Sequence, residues 1–165
     1  LPGKDKIFKF RPIGVIHTSF KEKVGVPIQG FLAPEGRGAV EVYPEYEEGL
    51  KDIEGFSHII LVYCFHKSKG FDLLAKPFLD DVKRGVFSIR APRRPNPIGI
   101  TAVRFVRREK NILHVAGVDM LDGTPLLDIK PYVAEFDRFK DVKKGWTKNK
   151  LESPSRTHAD ERFGE

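Results

Sequence analysis

The stretch RAPRRPNPIGI, residues 90 to 100, holds three arginines and three prolines in eleven positions. A guanidinium is a planar fork of donors that matches the two oxygens of a carboxylate or phosphate, so the chemistry on offer is anion recognition. Pro92, Pro95 and Pro97 fix their own φ and hold the preceding residues extended. A backbone stiffened in this way loses little entropy when it closes on a ligand. Asn96 before Pro97 favours a turn, Gly99 permits close backbone approach, and Ile98 offers an apolar side chain to pin the loop into a core. A stiff connector with solvated arginines is the plainer alternative. Function is favoured over it because loops on rigid β scaffolds so often carry sites.

The elements around this loop must hold it in place. The chain has 165 residues, 40% of them hydrophobic with 13 Phe, enough for the core of one domain. Residues 8 to 19 carry the aromatic and β-branched residues of a strand broken by one proline, as on an edge or at a bulge. Residues 38 to 44 alternate as a short strand, and PEYEEGLKDIEGF (44 to 56) has the pattern of a short amphipathic helix. HIILVYCFH (58 to 66) is continuously apolar and predicts a central strand buried on both faces. Segments 84 to 90, 100 to 109, 111 to 119 and 124 to 136 follow as strands, with REKN and LDGT as hairpin-like links. Residues 20 to 38 and 67 to 81 are long irregular excursions. Helical periodicity is scarce, so the fold class is mainly β: a small barrel or strongly curved sheet with a few short helices. Residues 1 to 139 form the barrel domain, and 140 to 165 an arm of the same domain that packs through Trp146 and Phe163.

Composition narrows the function. A net charge of +6 favours a polyanionic partner, and Lys83, Arg84, Arg90, Arg93, Arg94, Arg104, Arg107 and Arg108 fall within one quarter of the chain. There is no GxGxxG, P-loop, HExxH or GxSxG pattern, which counts against Rossmann, nucleotide-hydrolysing, zinc-protease and α/β-hydrolase chemistry. The five histidines lack metal spacing and no metal is expected. The single cysteine, Cys64, sits in an apolar run and is expected to be buried and inert. No apolar run approaches membrane-spanning length, and the expectation is a soluble, cytoplasmic protein with no membrane partner.

Five segments in order, PIGVIHTSF, GFSHIILVYCFHKS, GVFSIRAPRRPNPIGITAVRF, DMLDGTPLLDIKPYV and the terminal ADERF, resemble the TsaA-like or TrmO family of tRNA methyltransferases. The Arg-Pro-Asn-Pro-Ile-Gly core is the most specific of them. The resemblance implies a non-Rossmann β-barrel enzyme that uses S-adenosyl-L-methionine, forms a homodimer with the cofactor near the subunit interface, and methylates N6 of threonylcarbamoyl-adenosine beside the anticodon of tRNA-Thr. It also implies the cofactor contacts. The family's Pro-Arg-Gln loop appears here as Pro27, Ile28 and Gln29, with isoleucine where the family has arginine. The His-Lys pair is His66 and Lys67, the arginine opening the proline loop is Arg90, the apolar residue ten positions on is Ile100, and the Asp-Gly turn supplies Leu121, Asp122, Gly123 and Thr124.

Such a reaction needs a grip on an amino-acid carboxylate, recognition of an adenosine, and a base for the acceptor N–H. Arg90 or Lys67 suits the carboxylate, Asp122 the ribose hydroxyls, and the backbone of Leu121 and Thr124 the adenine edge. Taken on spacing alone, Asp122-Gly123 reads as a plain hairpin turn. The catalytic base is open between Tyr63 and His66, which a regular strand places on opposite faces. Arg93, Arg94, Arg107 and Arg108 are the candidates for tRNA phosphates. Two other readings stay open: a non-catalytic β-barrel that binds RNA, and a methyltransferase with a different acceptor.

Overall fold

In the computed structural model, which describes residues 4–27, 30, 34–148 and 150, the hydrophobic alternation closes into a six-stranded barrel. The strands are β1 (Gly14–Thr18), β2 (Arg37–Val42), β3 (His58–Cys64), β4 (Leu74–Ala75), β5 (Arg84–Gly85), β6 (Ile98–Glu109), β7 (Ile112–Ala116) and β8 (Thr124–Pro131). The barrel order is β1-β2-β7-β6-β3-β8 with every neighbour antiparallel, and β4 pairs with β5 in a separate two-stranded ribbon. Closure leaves the barrel itself no unpaired edge strand. Side chains alternate across each strand, so Ile59, Leu61 and Tyr63 of β3 meet Ile16, Val40, Leu113, Val115 and Leu126 inside.

This is the mainly β barrel expected from the sequence, with corrections that each have a physical cause. Residues 6 to 12 precede β1 with Phe8 and Phe10 exposed, and only at Ile13 does the chain join the barrel, bonding Leu126 O and the Tyr43 N–H. β3 is not buried on both faces: Ile59, Leu61 and Tyr63 are inside, while Ile60, Val62 and Cys64 sit half-buried on the outer wall. The expected helix over 44 to 56 is two 3-10 turns, Pro44–Leu50 and Ile53–Gly55, separated where Asp52 takes a left-handed φ of 69°. Residues 84 to 90 pair for only two positions before a 3-10 turn at Val86–Ser88. β7 stops at Ala116, and β8 stops at Pro131 before the one-turn helix α1 (Ala134–Asp137).

The link at 109 to 112 is a hairpin as expected, with Lys110 at φ 53°. LDGT is not a hairpin. β7 pairs with β2 and β6, whereas β8 pairs with β1 and β3, so residues 117 to 123 must cross the barrel mouth. Asp122 and Gly123 instead bond to β1 and its extension, through Asp122 N–H to Phe20 O (2.8 Å) and Gly123 N–H to Ile16 O (2.9 Å).

A second cluster of Ala75, Phe78, Ile89 and Ala91 packs beside the barrel and receives Trp146. The indole N–H donates to Ser88 O at 2.7 Å, and the Arg84 guanidinium lies 5.6 Å from the indole centroid. Arg84 is held there by Asp80, 2.6 Å away, with Lys150 at 3.5 Å from the same carboxylate. The arm therefore packs on its own chain through Trp146; Phe163 lies outside the described residues. The hydrogen bond from Arg84, aided by the Asp81 N–H and Lys150, pulls the Asp80 carboxyl down to about 2. A carboxyl lowered in the folded state adds stability above the unfolded value near 4, and that stability is lost as pH falls through 2. Fluorescence of Trp146, the single tryptophan, is expected to shift red between pH 4 and 2. Asp80→Asn is expected to show the shifted emission already at pH 7 and no transition in that window.

Candidate functional site

Strand direction alone brings the candidate segments together. β6 leaves the proline loop at Ile98, and its antiparallel partner β3 ends opposite at Cys64, so His66 and Lys67 emerge beside that loop. β8 starts at Thr124 against Ile16 of β1, and β7 ends at Ala116 against Arg37 of β2. The segments 18 to 27, 66 to 67, 90 to 98 and 117 to 124, with Gly30, therefore share one rim of the barrel. Pro27 is buried there, while Ile28 and Gln29 lie outside the described residues.

Asp122 organises the centre of this rim. Its Oδ1 accepts from the Thr18 N–H at 3.0 Å and lies 3.9 Å from His17 Nδ1, and its Oδ2 pairs with Lys21. The Lys21 bond, with the Thr18 N–H, holds the Asp122 carboxyl below the usual range, so it stays an anion at neutral pH. Gly123 sits at φ +76°, where a side chain would be strained. Thr124 donates through its hydroxyl to Leu121 O at 2.7 Å. Lys67 reaches across to Lys21 O at 3.5 Å, which draws the 66 to 67 turn toward Asp122. Arg90 is exposed at the start of the proline loop.

The loop is braced as its prolines predict. Ser68 Oγ donates to Pro92 O at 3.1 Å, Phe65 N–H to Pro97 O at 2.8 Å, and Ile98 N–H to Asn96 O at 2.7 Å. Ile98 does not pin it into the core. Alternation turns Ile98 and Ile100 to the outer wall, and the inward position belongs to Gly99, across which the Tyr63 ring lies.

The two candidate bases separate. The Tyr63 hydroxyl is buried, lies 3.1 Å from Thr101 Oγ1, and is pushed upward by burial and by Asp119, so the phenol keeps its proton. His66 is exposed beyond the end of β3 and is lowered by desolvation and by Lys67, which leaves a neutral imidazole able to accept a proton near pH 7.

The four candidate phosphate arginines do not form one patch. Arg94 turns back on its own loop, donating to Ile89 O (3.1 Å) and Ala91 O (3.4 Å), and Arg93 pairs with Asp72 at 3.0 Å. Arg107 and Arg108 sit nine and ten strand positions from Ile98, about 30 to 33 Å along β6 at the usual rise. On that far rim Arg107 pairs with Glu109, while Arg108 donates to Leu50 O at 3.1 Å and Glu54 at 3.2 Å. A shallow depression of about 610 Å³ is lined by Glu47, Glu48, Asp52 and Glu54 against Lys51 and Arg108, and its excess of acids disfavours phosphate.

Sequence reasoning missed Asp119. Its Oδ1 accepts from Thr101 Oγ1 at 2.6 Å and from Tyr63 OH at 3.4 Å, and its Oδ2 accepts from the Gly30 N–H at 2.8 Å. The available signal was one acid inside the apolar run AGVDML. Lys21 and Thr18 were also missed, because their role depends on the crossing of residues 117 to 123 over β1.

A closed antiparallel barrel with its polar groups gathered on one rim defines a class of protein unlike the doubly wound α/β folds. Comparison with known proteins makes this specific. Residues 15–138 match the family model of the tRNA-methyltransferase O N-terminal domain, and the chain belongs to that family. It is 55% identical over 154 residues to a "Probable S-adenosyl-L-methionine-binding protein" of Pyrococcus abyssi, covering 93% of this chain and 84% of that one. It is 39% identical over 133 residues to the mouse "tRNA (adenine(37)-N6)-methyltransferase", covering 76% of this chain and only 31% of the mouse protein. The crystal structure of TrmO from Pseudomonas aeruginosa superposes with a TM-score of 0.72 at 39% identity, over 85% of this chain and 62% of that one.

Proposed function

We propose that this chain is an S-adenosyl-L-methionine-dependent tRNA (adenine-N6)-methyltransferase whose acceptor is threonylcarbamoyl-adenosine beside the anticodon of tRNA-Thr, acting in the cytoplasm. The observation that carries the reading is the gathering of the Arg90 loop, His66-Lys67 and the Asp122 turn on one rim of a barrel of this family. The donor set suits the cofactor. Arg90, with Lys67 beside it, offers cations for the amino-acid carboxylate. Asp122 is an anion able to accept from ribose hydroxyls once Lys21 moves aside. The left-handed Gly123 turn presents the Leu121 and Thr124 backbone to an adenine edge. When bound, the cofactor supplies an electrophilic methyl group on a positively charged sulfur.

The chain's own contribution is positioning and removal of one proton. A lone pair delocalised into a ring and a carbonyl makes a poor nucleophile but a more acidic N–H, so the neutral His66 is a sufficient acceptor. The homodimer reading is supported by Ile100. It is 51% exposed on the outer wall, beside Ile98, Ala102, Ile60 and Val62, while the other candidate cofactor residues among those described lie on the rim. Ile100 approaches a cofactor if a second subunit packs on this apolar wall. No helix among the described residues is long and apolar enough to cross a membrane.

The test is methyl transfer from isotope-labelled S-adenosylmethionine into tRNA taken from cells lacking the gene, followed by nucleoside mass spectrometry. Label in threonylcarbamoyl-adenosine is the expected result. Label in another nucleoside moves the acceptor, and salt-sensitive RNA binding without cofactor binding reduces the protein to an RNA-binding barrel.

A further inference from the structure

We propose that Asp119 is a positioning residue for the cofactor site: its carboxylate ties Gly30 to the crossing segment 117 to 124, and so sets two of the candidate cofactor segments relative to each other. The inference rests on the reading of the site given above.

The three groups that bond Asp119 come from three different elements, and each adjoins a candidate cofactor residue. Thr101 follows Ile100 on β6, Tyr63 lies on β3 three residues before His66, and Gly30 follows the segment that begins at the buried Pro27. Asp119 itself lies two residues before Leu121. A single carboxylate, two residues from Leu121, is thus bonded next to Ile100, beside the segment that begins at Pro27, and three residues before His66. The proline loop reaches the cluster by charge, since the Arg90 guanidinium acts on the Tyr63 hydroxyl.

Backbone shape is built around this contact. A Cβ on Gly30 would meet Gly117 O at 1.7 Å and Thr101 Cγ2 at 3.3 Å, and Gly117 adopts φ +84°. Two chains therefore pass backbone against backbone, which is what lets the Asp119 side chain reach the Gly30 N–H. Thr101 and Tyr63 fix the other oxygen, so the carboxylate cannot turn.

Charge argues in the same direction. Burial pushes the Asp119 carboxyl up to about 6 against the lowering pull of Thr101, the Gly30 N–H and Tyr63, so the charged form is held at a cost. The groups facing it are Thr101 from β6, Tyr63 from β3 and the Gly30 amide, with Arg90 acting on Tyr63. For an acid whose folded value is raised, the folded state binds the proton more tightly. Its contribution to stability is then greatest below about pH 4 and is lost as pH rises through 6. The anion that best accepts from Gly30 forms over the same window. Cofactor affinity and fold stability are therefore predicted to change in opposite directions with pH. A residue that only supports the fold would move them together.

The experiment is calorimetric titration of S-adenosylmethionine into the full chain between pH 5 and 8, with melting temperatures measured in parallel. The unaltered protein is expected to bind more tightly as pH rises through 6. Asp119→Asn keeps the shape and removes the charge; it is expected to bind at least tenfold more weakly at pH 8, to lose the pH slope, and to melt no lower than the unaltered chain. Thr101→Val, which removes the donor to Oδ1, is expected to lose about threefold. Binding by Asp119→Asn within twofold at pH 8, a flat profile for the unaltered protein, or an affinity loss matched by a lower melting temperature would each overturn the assignment. An unaltered chain that gives no heat with the cofactor overturns the cofactor reading itself, and this inference with it. That result is distinct from a variant that binds normally.

Discussion

Replacing Gly99 with alanine is expected to lower the melting temperature by roughly 2 to 12 °C. An added Cβ would stand 2.3 Å from Tyr63 Cε2, 2.5 Å from its Cζ and 2.9 Å from Phe65 Cζ. The ring has no room to retreat. Phe65 packs edge-on at a centroid distance of 5.5 Å, and the hydroxyl is bonded to Thr101 and Asp119. Overpacking of this kind costs up to about 3 kcal/mol, and for a chain of this size each kcal/mol shifts the midpoint by about 2 to 4 °C. Shortening the partner separates a steric cause from a backbone one. Tyr63→Leu carries its own penalty, but adding Gly99→Ala to it should cost little more, a coupling that a double-mutant cycle reads directly. Thermal melts of the four proteins would show it. Additive losses would mean that Gly99 is required for its backbone and not for the space it leaves.

Gly99 also marks where sequence reasoning reached and where it stopped. That the proline loop needs a glycine for close approach was legible, because Pro-Ile-Gly between apolar strands leaves few other roles. Which side chain approaches was not, since Tyr63 is 36 residues away and only the β3–β6 register brings it there. The same division holds throughout. Apolar and alternating runs bounded by turn signals predicted β2, β3, β6, β7 and β8, and the charged REKN turn predicted the β6–β7 hairpin, because both are local patterns. Barrel order is non-local, so the LDGT turn was misassigned as a hairpin and the Asp122 contacts to Thr18 and Lys21 went unseen. Charge was misleading for a related reason. Arg94 and Arg108 are close in sequence, but one is spent on its own loop and the other on the far rim. The family resemblance supplied the site residues; the bare spacing of Asp122-Gly123 did not.

Arg90→Ala is expected to weaken S-adenosylmethionine binding by about ten- to a hundredfold, which corresponds to the roughly 1.5–3 kcal/mol of a charge-assisted hydrogen bond. Arg90 is exposed at the start of the loop, while Lys21 pairs with Asp122, Arg93 with Asp72, and Arg94 with Ile89 O and Ala91 O. Lys67 leans toward Lys21 O and carries a point charge without a fork. Arg90→Lys should accordingly recover part of the loss and not all of it. Kinetics at varied concentrations of both substrates decide what the arginine holds. If it grips the cofactor carboxylate, KM for S-adenosylmethionine rises, and saturating cofactor restores most of the rate. If it instead contacts a tRNA phosphate, the loss falls on KM for tRNA, and the slope of log affinity against log salt shrinks by about one. The second outcome would turn the proline loop from a cofactor clamp into an RNA-binding loop. It would leave Lys67 as the cation for the carboxylate, so Lys67→Ala would then carry the larger loss of cofactor affinity.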